Sequence, residues 1–355
     1  MYLVMPNLFD ALEGTVFRDE SILSPEFQPD VLPGRERELK EIAFLLKPLA
    51  QEKKAPALLV YGPPGTGKTS SVKFVFRELK EYCPSVDFAY VNCWTNSTRQ
   101  SVFSEVSRCL GLALPRRGLA SDEVFMRLAE RIRKKEGMLA IALDEADRLF
   151  FEGQEKVLYD LARETGEKVT LVFLTNEKSV FQKLDDRTKS ALSVNEIEFA
   201  KYSPPELKQI LAARAEKAFN PNSCPKEAVA TCAAFAAKKG GDARIAIESL
   251  WLAGRNAEKR NSSVVMEEDW KKAFASQENL SASKAKRLVG LSLIEQSVLQ
   301  ALDGKEATSG ELYSRLPDYS DRIIRSYVNL LAVKKLVELK EKDEIGKTRV
   351  ITPLV

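Results

Sequence analysis

Histidine is missing altogether from these 355 residues. A Ser-His-Asp triad, an imidazole general base and the usual Cys/His zinc sites are therefore excluded or nearly so. Cysteine is sparse: Cys83, Cys93, Cys109, Cys224 and Cys232 make an odd number with no C-x-x-C pair. That pattern gives no disulfide framework and suits a reducing compartment. No apolar run approaches the ~18 residues a membrane span needs, and Met1–Pro6 lacks the basic lead of a signal peptide. A soluble, cytoplasmic protein without a membrane partner is expected. Glycine and proline are limited to 17 and 16 residues against 44% hydrophobic content, which argues for folded domains over long disordered tracts. Strong charge of either sign is also lacking. The net charge of +3 rules out an overtly basic DNA coat. From Lys284 onward there are 13 basic and 10 acidic residues, so the last segment carries the whole excess. This is a modest sign of a nucleic-acid-facing domain.

What is present is more specific. Leu58-Leu59-Val60-Tyr61 runs into Gly62-Pro63-Pro64-Gly65-Thr66-Gly67-Lys68-Thr69-Ser70, a strand leading into G-x-x-x-x-G-K-T. That pattern, in that context, is the phosphate-binding P-loop. Its glycines let backbone N–H groups close around a phosphate at a helix N-terminus. Lys68 is placed to reach the β/γ-phosphates, and the Thr69 hydroxyl to sit on Mg²⁺. The helix that follows, Ser70–Glu81, places Val72, Val75, Phe76 and Leu79 on one face.

A second apolar run, 137–143, ends in Asp144-Glu145-Ala146-Asp147. A run of that length suits a strand buried on both faces of a parallel sheet. Carboxylates at its C-terminal end lie where ligands bind in open α/β sheets. Asp144 is the expected Mg²⁺ partner with Thr69, and Glu145 the residue that orients or deprotonates the attacking water. A third apolar run, Val169–Asn176, sets Asn176 at a strand end between the two motifs. Strands at 57–61, 88–92, 139–143, 169–176 and 197–199, alternating with helices, imply a parallel sheet covered by helices.

After Ser203-Pro204-Pro205 the pattern turns helical: 206–219, 226–238 and 243–260. Residues 276–290 read as a polar linker. Beyond it, helices at 292–302, 308–316 and 321–331 precede β segments at 336–340 and 349–351. Three helices and a two-stranded wing make the winged form of the helix-turn-helix, whose third helix enters the major groove. Arg322, Arg325, Ser326 and Asn329 are expected on its exposed side, and Lys342, Lys347 and Arg349 on the wing.

Together the P-loop, Asp144-Glu145 and Asn176 resemble the AAA+ family. Phe17–Pro25, Leu32–Leu39, Leu184–Ser190 and Gly241–Arg244 resemble, more narrowly, archaeal initiators related to the origin recognition complex and the cell-division-control ATPases. The resemblance runs from Phe17 to the C-terminus and is strongest up to residue 255. It implies an α/β AAA+ sheet domain (1–200), a helical lid (201–275) and a winged-helix domain (285–355). It also implies ATP/ADP with Mg²⁺ as cofactors, and double-stranded origin DNA as partner. A paralogous initiator subunit and the replicative helicase are further expected partners, and the chromosome the expected location.

Under the resemblance, Leu32, Gly34 and Arg35 lie beside the adenine, and Tyr202 joins the nucleotide site. Asn176 is the first sensor. Arg244 is the second sensor on the lid, and Arg187 the finger offered to a neighbouring subunit. Arg116 and Arg117 sit in an extra helical insertion that touches DNA. The sequence departs from the family's Gly/Arg-rich wing tip, carrying Glu341, Asp343 and Glu344 among its lysines. Two other readings fit the same motifs: a Holliday-junction branch-migration motor, and an ATP-gated regulator without catalysis.

Overall fold

The computed structural model describes residues 16–112, 114, 119–164, 166–182, 192–286, 293–302, 306–317, 319–333, 336–342 and 348–353. Residues up to Phe274 form one compact unit and those from Ala275 a second.

In the first unit, strands β1 (Leu58–Tyr61), β2 (Asp87–Asn92), β3 (Leu139–Asp144), β4 (Val169–Thr175) and β5 (Asn195–Glu198) form a parallel sheet in the order β2-β3-β4-β1-β5. Successive side chains of a strand point to opposite faces. Leu139, Ile141 and Leu143 of β3 therefore enter one apolar core, while Ala140 and Ala142 enter another. Helices α1 (Glu36–Leu46) and α2 (Lys68–Tyr82) cover the alanine face; α3 (Arg99–Cys109) and α4 (Ser121–Lys134) cover the leucine face. With both faces covered, β3 and β4 are buried along their whole length, as their continuous apolar sequence requires.

Helices α5 (Pro204–Ala218), α6 (Lys226–Lys238) and α7 (Ala243–Lys259) build the lid around Leu207, Leu211, Val229, Cys232 and Leu250. The sequence boundary puts residues 1–200 in the α/β body, but the described N-terminal segment packs on the lid. Val16, Ile22 and Leu23 enter the lid core, and Phe17 pairs with Phe219 in a β-bridge. Trp251 is half-buried against this core; its indole N–H donates to Glu20, and the residue also lines the cleft described below.

Residues 276–286, read as linker, are helical: α8 runs from Glu267 to Lys286. The stretch has no Gly or Pro to break a helix, so its polar composition does not mark a loop.

The second unit has α9 (Leu293–Leu302), a two-residue strand β6 (Ala307–Thr308), α10 (Ser309–Arg315), α11 (Asp321–Val333), β7 (Val337–Lys342) and β8 (Thr348–Pro353). Its sheet is antiparallel in the order β6-β8-β7. The β6 strand has no sequence signal, because two residues show no period. Ile324, Val328 and Leu331 bury one face of α11 against Leu312, Val337 and Ile351.

Candidate nucleotide site and nucleic-acid face

A cleft of about 1300 Å³ opens at the C-terminal ends of β1, β3 and β4, and continues between the N-terminal segment and the lid. Its floor is the P-loop. Gly65 and Gly67 have φ of +71° and +85°, a region that L side chains rarely adopt. A Cβ on Gly65 would lie 1.7 Å from the Asp242 carboxylate, and one on Gly67 2.5 Å from the Tyr202 hydroxyl. Only glycine lets the loop pass this close to the lid.

Lys68 Nζ donates to the carbonyls of Gly62 (2.7 Å) and Pro63 (2.9 Å) and to Asn176 Oδ1 (2.9 Å). Burial holds this ammonium below its ordinary pKa, against the pull of Glu145 and Asp144. Its three acceptors are oxygens that phosphate oxygens can replace. Thr69 Oγ1 donates to Asp144 Oδ2 at 2.7 Å, and the Glu145 N–H donates to Asp144 Oδ1 at 2.9 Å. Asn176 Nδ2 donates to Glu145 Oε2 at 2.8 Å, so Asn176 bridges Lys68 and the candidate base.

Glu145 stands out in two ways. Its backbone has φ +53°, a left-handed conformation that costs a non-glycine residue roughly 1 kcal/mol or more. Its carboxyl pKa is raised, first by burial and then by the charges of Asp147 and Asp144. A raised carboxyl at a strained strand end suits a proton acceptor. Asp147, to which the motifs assign no role, accepts from Thr175 Oγ1 at 3.0 Å, and burial pushes its carboxyl up as well.

The lid meets the P-loop directly, since the Ala243 N–H donates to the Gly65 carbonyl at 3.1 Å. One residue on, Arg244 lines the same cleft as Lys68, with its guanidinium paired to Asp242 at 3.1 Å and its side chain 61% exposed. Leu32 and Tyr202 also line the cleft. Gly34 and Arg35 do not. Arg35 is buried, and its guanidinium donates to the carbonyls of Thr66 (2.8 Å), Gly34 (2.9 Å) and Ala200 (2.6 Å). It also lies 3.8 Å from the centroid of the Tyr202 ring. Arg35 thus braces the P-loop against the entry to the lid. A G-R dipeptide carries no sign of partners 31 and 165 residues away.

In the second unit, Arg322, Arg325, Ser326 and Asn329 lie on α11 away from its buried stripe. Arg325 Nε donates to the Tyr313 hydroxyl at 3.3 Å, and Arg349 of β8 donates to Asn329 Oδ1 at 3.1 Å, tying the wing strand to that face. Lys342 closes β7. Arg116, Arg117, Arg187 and Lys347 lie outside the described residues.

Residues 31–174 match the model of an AAA ATPase domain, and residues 208–275 that of a Cdc6 AAA+ ATPase-type lid domain. The ORC1-type DNA replication protein 1 of Aeropyrum pernix is 35% identical, covering 96% of this chain and 90% of its own length. The solved structure of the Aeropyrum pernix ORC1 protein in complex with DNA is similar with a TM-score of 0.75 and 34% identity, covering 96% of this chain and 94% of that one. The Thermotoga maritima RuvB Holliday junction branch migration motor reaches a TM-score of 0.50 at 17% identity over 93% of this chain and 96% of that one, a likeness of fold alone.

Proposed function

This chain belongs to the family of ORC1-type DNA replication proteins, and on that premise we propose that it is an initiator ATPase that grips duplex origin DNA in a nucleotide-dependent state. The observation that carries the reading is the convergence of Lys68, Thr69, Asp144, Glu145 and Asn176 with lid Arg244 in one cleft.

Lys68 and the P-loop amides bind the β/γ-phosphates. Glu145 takes the proton of the attacking water, and Asn176 orients that carboxylate. Arg244, released from Asp242, reaches the γ-phosphate and reports its presence to the lid. The donor set at Thr69 and Asp144 is all oxygen, which fits Mg²⁺ and no softer metal. When bound, the ion neutralises charge that builds on the phosphate oxygens. Hydrolysis is slow while the chain is alone, because the arginine finger, Arg187 in this chain, is supplied to each site by a neighbouring subunit. The protein is thereby a switch more than a motor, with the replicative helicase as a candidate client.

The DNA grip combines α11 at the major groove, where Arg322 and Arg325 neutralise backbone phosphates, with phosphate contacts from the wing and from Arg116 and Arg117. Replacing Arg322 and Arg325 together by Ala is expected to weaken duplex binding and to lower the slope of log affinity against log salt by roughly 2, near 0.9 for each phosphate no longer neutralised. Fluorescence anisotropy across a range of KCl reads this. An unchanged slope sinks the assignment of both arginines to DNA.

A further inference from the structure

Tyr90 belongs to none of the nucleotide-binding motifs. It lies on β2 opposite Ala142 of β3, and its hydroxyl donates to Asp144 Oδ2 at 2.6 Å. Thr69 donates to the same oxygen, and the Glu145 N–H to the other. Three donors on two oxygens leave the carboxylate no freedom to turn. The Tyr90 ring is held in its turn: Lys73 Nζ, one helical turn beyond Thr69 on α2, lies 4.1 Å from its centroid.

We propose that Tyr90 is a positioning residue for the divalent cation of the nucleotide site, acting through Asp144. With Asp144 fixed, the Thr69 hydroxyl hydrogen stays directed at the carboxylate and its oxygen lone pairs are left for the cation. Removing the hydroxyl leaves Oδ2 with Thr69 as its side-chain donor and lets the carboxylate rotate. This inference rests on the reading of Thr69 and Asp144 as the metal-holding pair.

Titration of the purified full chain with a fluorescent ATP analogue, in EDTA and in stepped Mg²⁺, tests it. Outer partners of metal ligands are worth about 10–100-fold in metal affinity. Tyr90→Phe is therefore expected to raise the Mg²⁺ concentration for half-maximal tightening by about tenfold, with affinity in EDTA unchanged. The same Mg²⁺ midpoint as the parent chain overturns the inference. So does an equal weakening in EDTA and in Mg²⁺, which marks general loosening of the site. If the parent chain itself gains nothing from Mg²⁺, the Thr69–Asp144 reading falls first and this inference with it.

Discussion

Glu145→Gln is expected to leave ATP binding intact and to lower hydrolysis by about 10²–10⁴-fold, the usual contribution of a positioned acid or base. Glutamine keeps the length of the side chain and can still meet Asn176, whose Nδ2 lies 2.8 Å from Glu145 Oε2. It cannot accept a proton at the water. The phosphate-binding groups, Lys68 and the loop amides, are untouched. Single-turnover hydrolysis and nucleotide binding measured on the same preparation separate the two effects. The parent rate carries its own signature in pH. Burial and two neighbouring acids raise the Glu145 pKa, so the base becomes protonated, and the rate falls, at a higher pH than for an ordinary glutamate. An initiator so altered stays in its ATP form, whereas a regulator without catalysis is indifferent to the change. Hydrolysis by Glu145→Gln within about threefold of the parent rate, far short of the acid–base contribution, would take Glu145 out of the mechanism.

Arg35→Met has the largest expected effect on stability. Arg35 is 2% exposed, and its guanidinium serves the carbonyls of Thr66, Gly34 and Ala200 together. Methionine fills part of the volume and pairs with none of them. At about 1–3 kcal/mol for each of the three acceptors left unpaired, the penalty comes to roughly 3–9 kcal/mol if all three stay unpaired. Removing the cation from the face of the Tyr202 ring adds to this. Melting should fall by about 2–4 °C per kcal/mol for a domain near this size. Because Thr66 belongs to the P-loop and Ala200 to the approach to α5, nucleotide affinity should fall as well. Arg35→Lys keeps the charge but not the planar fork, and is expected to recover little. A melting temperature equal to the parent's would show that the brace contributes nothing.

The parts of this molecule that are legible in its sequence are those whose chemistry is local. Gly62–Gly67 forms a loop after a strand because the glycines and the apolar run are adjacent. Asp144 and Glu145 end β3 because a run buried on both faces can close on carboxylates only where it emerges. Asn176 follows the same logic one strand further on. The buried stripe of α11 is readable from its period, and the exposure of Arg322 and Arg325 follows from it.

What stays hidden depends on contacts far apart in the chain. Tyr90 looks like an ordinary strand residue until the register brings β2 alongside β3. Arg35 sits next to a glycine in a turn, and only the folded chain delivers Thr66 and Ala200 to it. Val16–Leu23 belongs to the lid because its apolar side chains find α5 and α7, far along the chain. The polarity of 276–286 suggests a loop, yet nothing in its composition breaks a helix, and the segment continues α8.

Incubating the purified full chain with fragmented genomic DNA from its own source, in ATP and then in ADP, and sequencing what is retained, most directly tests whether nucleotide state gates a sequence-reading grip on duplex DNA. Enrichment of a few discrete loci, with recovery that changes between ATP and ADP, is the predicted result. Uniform recovery in both states, or preferential retention of branched DNA, would contradict it.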